Sequence, residues 1–473
     1  MSHENKKLSF WTKFFFGMGE VPGTTSKTVI SILFMFYLTD VVGIIPALAG
    51  TIFMVGRVWD AFSDPMMGFI TDRTRTRWGR RRPFFLFVAI PLGIFFCSMF
   101  LPYPVETQSG KMTAYLIAYI LYMTCITVYF VPYLGYMAEL TDDYSERTSV
   151  SNFRFFFSFI FGLFAAVIPE MLATGFVPEG WKAEVNEGLR NAADLIPYYQ
   201  KGYMVAGIVI AVILTTFSLI VFFTSKERYV ETKPKAKLQI FKQFGDMFKN
   251  KSFRSLLFFY VGAIAGINML EGFVMYYMNY WIVREDDVPI LFLSVVLAGV
   301  LSLPLWTLLT KKLGKKMTAI VTMLFWLITQ FGWVVLKPDH PSYWVFIVGA
   351  FVGLGWGAAH VMPWAMFPDV MDQDEINTGE RREGIYSGIM TFLMKMGNAL
   401  AMFLIGLTLQ AVNYVPNVPQ TGAALAAMRL IMCFGPIVFI IIALAAAFFY
   451  PITTERYAEI RTELEKLRKA RTV

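Results

Sequence analysis

The sequence predicts an all-α membrane protein: twelve transmembrane helices in two six-helix bundles, with both termini cytoplasmic. Three observations predict it. Of 473 residues, 56% are hydrophobic and only 16% are charged, against roughly 25% charged in an ordinary soluble domain. Apolar runs long enough to cross a hydrocarbon slab of ~30 Å recur twelve times along the chain. Basic residues gather in alternate loops, as they do on the cytoplasmic side of polytopic proteins.

The apolar runs fall near 13–38, 44–70, 84–101, 113–138, 153–172, 202–223, 254–283, 290–310, 317–336, 342–367, 384–411 and 427–450. Loops after the even-numbered segments, with the Ser225–Arg254 stretch counted whole, hold 22 Lys and Arg residues; the other loops hold 6. That asymmetry places the even loops in the cytoplasm. Ser225–Arg254 is charged, contains Lys233-Pro234-Lys235, and divides the segments six and six. The expected organisation is therefore a bundle over 1–224, a cytoplasmic linker over 225–253, a second bundle over 254–450 and a tail over 451–473. The N-terminus is polar up to Lys7 without a cleavable signal pattern, so the first segment is expected to serve as the insertion signal. A bacterial inner membrane and a monomer are expected.

The net charge of +8 follows from basic cytoplasmic loops and requires no nucleic acid. Cys97, Cys125 and Cys433 all lie in apolar runs and read as lipid- or core-facing residues, not as a disulfide framework; no zinc-type spacing occurs. No P-loop, nucleotide motif or Gly-x-Ser-x-Gly signature is present, so an ATP-driven pump or an enzyme has little support, and no cofactor is expected.

The two halves echo each other. Val131-Pro132-Tyr133 leads to Glu139 and then Glu146-Arg147; Met362-Pro363-Trp364 leads to Asp369 and then Glu380-Arg381. Pro65 leads to Trp78-Gly79-Arg80-Arg81, and Pro304 leads to Leu313-Gly314-Lys315-Lys316. Two related six-helix halves with a site at the midplane are the architecture of major facilitator transporters.

Charges inside the apolar segments carry the functional reading. Asp60 and Asp64 are four residues apart on one face of the second segment, with Arg57 three residues before Asp60. By helical rise Asp60 lies ~16 Å from the loop at Thr71. One carboxylate at that depth costs on the order of 2.5–3.5 kcal/mol, and two also repel each other. A bound monovalent cation offsets both terms, and hard cations favour oxygen ligands. The alternative is a closed ion-pair cluster in which Arg57 neutralises one aspartate. Lys395 lies about 18 Å deep in the eleventh segment by rise. It reads either as a charge coupling cation occupancy to bundle closure or as a static salt bridge. Glu271, in the seventh segment, suits a substrate contact, a gating pair, or a protonated hydrogen bond between helices. Glu20, Thr24 and Lys27 share a face of the first segment, where Gly17, Gly19, Pro22 and Gly23 suggest a kinked or opened helix. His360 is the one histidine of three inside a segment; it suits substrate or proton contact as well as simple packing. Arg154 lines a cavity or snorkels from a helix end. Asp72, Arg73, Arg80 and Arg81 are read as gating residues that pair with carboxylates at neighbouring helix ends, with a lipid-headgroup patch as the alternative.

Trp59-Asp60-Ala61-x-x-Asp64-Pro65-x-x-Gly68, followed by Asp72-Arg73-Thr74-Arg75-Thr76-Arg77-Trp78-Gly79-Arg80, resembles the signature of the glycoside–pentoside–hexuronide:cation symporters. Tyr37-Leu38-Thr39-Asp40-Val41-Val42-Gly43, Pro363-Trp364-Ala365-Met366-x-Pro368-Asp369 and Gly379-Glu380-Arg381-Arg382-Glu383-Gly384 are similar too, so the resemblance covers nearly the whole chain. It implies cation ligands at Asp60, Asp64 and Thr127, a lysine beside that site at Lys395, and a sugar-cavity arginine at Arg154. It also shows departures. The family's galactoside carriers hold sugar with aspartates at the positions of Thr24 and Phe130, and have tryptophan at the position of His360. The chain is also similar to animal sodium-dependent lysophosphatidylcholine symporters, which share the aspartate pair, a phenylalanine near Phe130 and a Glu-Gly like Glu271-Gly272.

The expectation is a secondary active symporter that moves a sugar or glycoside with Na⁺ or H⁺ by alternating access. A cation-coupled carrier of lysophospholipid or another amphiphile is the alternative. A signalling or scaffolding protein with a degenerate transporter fold is a third reading, which the intact Asp60, Asp64 and Lys395 set opposes.

Overall fold

A computed structural model describes residues 8–141, 144–186, 189–225, 247–379 and 382–471. Lys233-Pro234-Lys235 of the expected linker and Glu380-Arg381 lie outside the described residues. The described chain is almost wholly helical; its one β-type pairing is an isolated bridge between Thr76 and Gly79. Among the described residues, eight helices are long and apolar enough to cross a membrane by length and composition alone. By their internal contacts the residues form two compact units: Met1–Lys233 with Phe403–Gln420, and Pro234–Met402 with Thr421–Val473.

The first unit opens with a broken helix. α1 (Phe10–Met18) ends at a turn over Gly19 and Glu20, and α2 (Val21–Val29) resumes with Pro22 in its first turn, where a missing N–H costs no intrahelical bond. Wider π turns follow at Ile30–Phe34 and Tyr37–Val41. Then come α3 (Pro46–Arg73), α4 (Arg82–Ser98), α5 (Gln108–Leu140), α6 (Tyr144–Thr174), the short α7 (Trp181–Asn186) and α8 (Ile196–Thr224). α4 packs on α8 and on α5, and α3 packs on α5. The core is aromatic: Phe34, Tyr37, Phe53, Tyr119 and Tyr203 are fully buried. Helix packing in lipid lacks a hydrophobic drive between helices, so close van der Waals contact of such rings carries much of the cohesion.

The second unit holds α9 (Lys251–Tyr276), α10 (Val288–Gln330), α11 (Gly332–Val335), α12 (Ser342–Thr378), most of α13 (Glu383–Ala411), α14 (Gly422–Phe448) and α15 (Thr454–Arg471). The sequence expects two segments over 290–310 and 317–336. Within α10 they are two helices that meet at a kink at Gly314, whose φ of 78° is open to glycine and strained for other residues. α12 lies against α10 along Gly349, Gly353 and Gly357. A Cβ on Gly353 would stand 2.2 Å from the Val295 carbonyl oxygen, and one on Gly357 would stand 2.5 Å from that of Gly299. This small-residue stripe lets two backbones meet.

The expected tail is a helix. α15 buries Ile460 and Leu464 on one face, and Arg468 reaches Glu375 at 2.8 Å. At its first turn Glu455 is held below the ordinary carboxylate value by the Thr453 hydroxyl and its own backbone N–H.

Candidate functional site

In the first unit α3 and α5 bring four oxygen-bearing side chains together. The Thr127 hydroxyl lies 3.1 Å from Asp60 Oδ1 and 3.2 Å from Asp64 Oδ1. Ser63 Oγ is 3.2 Å from Thr127 Oγ1. Asp60 is 5%, Ser63 8% and Thr127 3% exposed. The i, i+3, i+4 spacing of Asp60, Ser63 and Asp64 puts all three over one stretch of α5. A hydroxyl has a single proton, so Thr127 donates to one carboxylate at a time. Two carboxylates facing shared hydroxyls form an oxygen-rich, anionic cluster that suits a small hard cation or a proton. Arg57 stands within electrostatic reach of Asp60, Tyr119 and Tyr122. Trp59 Nε1 donates to Thr124 Oγ1 at 2.9 Å, which ties α3 to α5 one turn away.

The break in helix one places the next group. Two buried tyrosines of α5 donate to carbonyls beside the break: Tyr129 to Gly19 and Tyr133 to Phe16, each at 2.9 Å. Glu20, on the break itself, pairs with Arg154 of α6 at 2.7 Å. Arg154 also contacts Met137 Sδ at 3.0 Å and lies 5.4 Å from the centre of the Tyr133 ring. Thr24 shares a 2.9 Å hydrogen bond with Ser158. Phe130 packs so closely on Gly23 that a Cβ there would be 2.5 Å from the ring. Glu20, Thr24, Phe130 and Arg154 are thus gathered from the break in helix one, α2, α5 and α6. The face they form offers an ion pair, two hydroxyls and apolar rings.

In the second unit the expected residues are more dispersed. Lys395 on α13 and Glu271 on α9 are half-buried. One turn from each stands an asparagine: Asn268 Nδ2 donates to Asn398 Oδ1 at 2.9 Å and to the Ile264 carbonyl at 2.7 Å. Asn398 is 2% exposed, and its Nδ2 has no partner among the described residues. His360 sits 3.1 Å from the Trp356 carbonyl of its own helix, with its ring 4.3 Å from the Trp356 ring. That placement fits a packing role as well as a contact role.

The basic loops fold back on their own units. Arg80 pairs with Glu139 and stands 3.8 Å from Asp72; Arg81 meets Glu139 at 3.1 Å. In the second unit Lys315 meets Asp369 at 2.6 Å, the counterpart in the internal echo. Arg382 and Tyr386 both hold Asp374 at 2.7 Å. Arg73 stands apart from these pairs: it is exposed, with its guanidinium 3.6 Å from the Phe69 ring centre.

Sequence reasoning overlooked Ser63 and Asn398, although each lies within one turn of a charge it did single out. It also overlooked Glu170, a carboxylate 2% exposed that accepts from the Tyr203 hydroxyl at 3.0 Å.

Residues 15–454 match the family model described as MFS/sugar transport protein. The isoprimeverose transporter of Lactiplantibacillus pentosus is 27% identical, over 95% of this chain and 90% of the relative. The sodium-dependent lysophosphatidylcholine symporter 1-A of Danio rerio is 26% identical, over 98% of this chain and 89% of the relative. Among solved structures, a D-xylose–proton symporter superposes with a TM-score of 0.63 at 14% identity, covering 95% of this chain and 98% of that one, which is a likeness of fold.

Proposed function

The chain belongs to the MFS/sugar transport protein family and is an integral membrane transporter; on that premise we propose that it carries a sugar or glycoside inward together with Na⁺ or H⁺. The observation that carries the reading is the cluster of Asp60, Ser63, Asp64 and Thr127. Its anionic oxygens would hold the coupling cation. The face made by Glu20, Thr24 and Arg154 would receive hydroxyls of the substrate, since it offers donors and acceptors together. Lys395 would link cation occupancy to closure of the transporter by alternating access, and Arg80 and Arg81 with Glu139 would act at its cytoplasmic gate. Twelve spans, cytoplasmic termini, a monomer and a bacterial inner membrane complete the proposal.

Transport by purified protein in proteoliposomes tests it. Gradient-driven uptake of a neutral glycoside should require Na⁺ or H⁺, and Asp60→Asn or Asp64→Asn should abolish accumulation while the protein stays folded. Undiminished coupling in both variants would remove the assignment. A lysophospholipid is the second reading. Phe130 against Gly23 makes part of the face apolar, and the Danio rerio relative is a lysophosphatidylcholine symporter by name. Cation-dependent stabilisation and transport of a lysophospholipid, with no response to any sugar, would favour it.

A further inference from the structure

The arginine loop after α3 divides into two groups. Arg80 and Arg81 turn inward, with side chains 13% and 11% exposed, and meet Glu139. Arg73, Arg75 and Arg77 are exposed. Arg73 lies on the Phe69 ring at 3.6 Å, and Arg77 lies 4.7 Å from the centre of the Trp78 ring. Arg75 donates to the carbonyls of Asp72 and Thr74, each at 3.0 Å, and its side chain is exposed. Asp72 is the carboxylate beside these three, and it leans toward Arg80.

The same end of α3 carries an open groove of about 340 Å³ lined by Pro65, Met66, Phe69 and Ile70. Pro65 lacks an N–H and removes one turn's hydrogen bond inside the helix. Met66, Phe69 and Ile70 are 60%, 52% and 48% exposed. Phe69 is both a wall of the groove and the ring beneath the Arg73 guanidinium, so the apolar groove and the cationic patch are one continuous surface.

We propose that this surface is a binding site for an anionic phospholipid of the cytoplasmic leaflet. The acyl chain lies along Met66, Phe69 and Ile70, and the headgroup phosphate sits between Arg73, Arg75 and Arg77. Guanidinium groups recognise phosphate oxygens by paired N–H donors. Juxtamembrane arginines attract anionic lipid over zwitterionic lipid. The proposal rests on the cytoplasmic placement of this loop and goes beyond the transport cycle.

Native mass spectrometry of the full-length, delipidated protein tests it with dioleoylphosphatidylglycerol and dioleoylphosphatidylcholine. The wild-type protein should prefer phosphatidylglycerol by tenfold or more. Each arginine removed should weaken it about fivefold, so that R73Q/R75Q/R77Q binds the two lipids alike. R75Q/R77Q, which keeps Arg73 over Phe69, should fall between and serves if the triple variant does not fold. Phe69→Ala should weaken both lipids. Inorganic phosphate at millimolar concentration should not displace the lipid. Equal binding of the two lipids by the wild type, a preference that survives loss of the arginines, or full displacement by phosphate would each overturn the proposal.

Discussion

Gly135 shows how one residue governs a charge pair. A Cβ built there falls 1.2 Å from Arg81 Nη1, so glycine is what admits the guanidinium to Glu139. Gly135→Ala should expel Arg81 and lower stability by about 1–3 kcal/mol, the usual cost of overpacking. Thermal unfolding in detergent checks this; an unchanged melting temperature would mean that Arg81 has another resting place of equal energy. Ser63 makes the same point at the Asp60, Asp64 and Thr127 cluster. Its hydroxyl reaches Thr127, and Ser63→Ala should weaken cation affinity by about 1–3 kcal/mol through loss of one buried oxygen. Cation titration followed by tryptophan fluorescence measures it, with wild-type affinity as the outcome against a ligand role. The aspartates were legible in the sequence because charge in an apolar run is rare. Ser63 was not, because serine is common in membrane helices and only the partner on α5 shows which way it faces. Asn398 is similar: without Asn268 opposite, an asparagine three residues after Lys395 carries no direction.

At the scale of elements, the break in helix one is held from outside. Tyr129 supplies a donor to the Gly19 carbonyl, which a straight helix would satisfy for itself, and Tyr133 adds a second donor to the Phe16 carbonyl beside the Gly19 N–H. Tyr129→Phe should cost about 1–3 kcal/mol by leaving the Gly19 carbonyl without its donor, and Tyr133→Phe should cost less, because the Phe16 carbonyl also accepts from the Gly19 N–H at 3.0 Å. They should also loosen Glu20 from Arg154, since the break positions Glu20. Denaturant unfolding gives the first quantity, and a Tyr129→Phe/Glu20→Gln cycle gives the coupling; additive effects would separate the break from the ion pair. Glycine and proline near residues 17–23 announced the break, but the tyrosines that hold it looked like ordinary core aromatics. The Gly314 junction was legible as a boundary between two segments, and α15 was hidden for another reason. Lys311-Lys312-Leu313-Gly314-Lys315-Lys316 has the composition of a loop, and Gly314 at positive φ turns the chain between the two helices there. α15 is too polar to stand out as an apolar run, and its Ile460 and Leu464 gain meaning only against the helices they cover.

Coupling belongs to the whole molecule, because no single site can perform it. A symporter binds cation and substrate with a shared coupling free energy, and thermodynamic linkage makes that energy equal in both directions. If the cation raises substrate affinity by some factor, the substrate raises cation affinity by the same factor; typical couplings are about 1–3 kcal/mol. The cluster of Asp60, Asp64 and Thr127 stands in the first unit, whereas Lys395 stands in the second. A charge within a membrane helix is costly enough that its removal is felt wherever its field reaches. Lys395→Ala should therefore bring the coupling factor toward one, while the affinity for each ligand alone changes by less than about tenfold, or 1.4 kcal/mol. Calorimetric titration of each ligand, with the other absent and then saturating, gives the four affinities that fix the factor twice. A static salt bridge would show a different pattern: lower stability, with the coupling factor intact. Loss of substrate binding with the factor preserved would assign Lys395 to the substrate face instead, and gradient-driven uptake would then fall in proportion to binding alone.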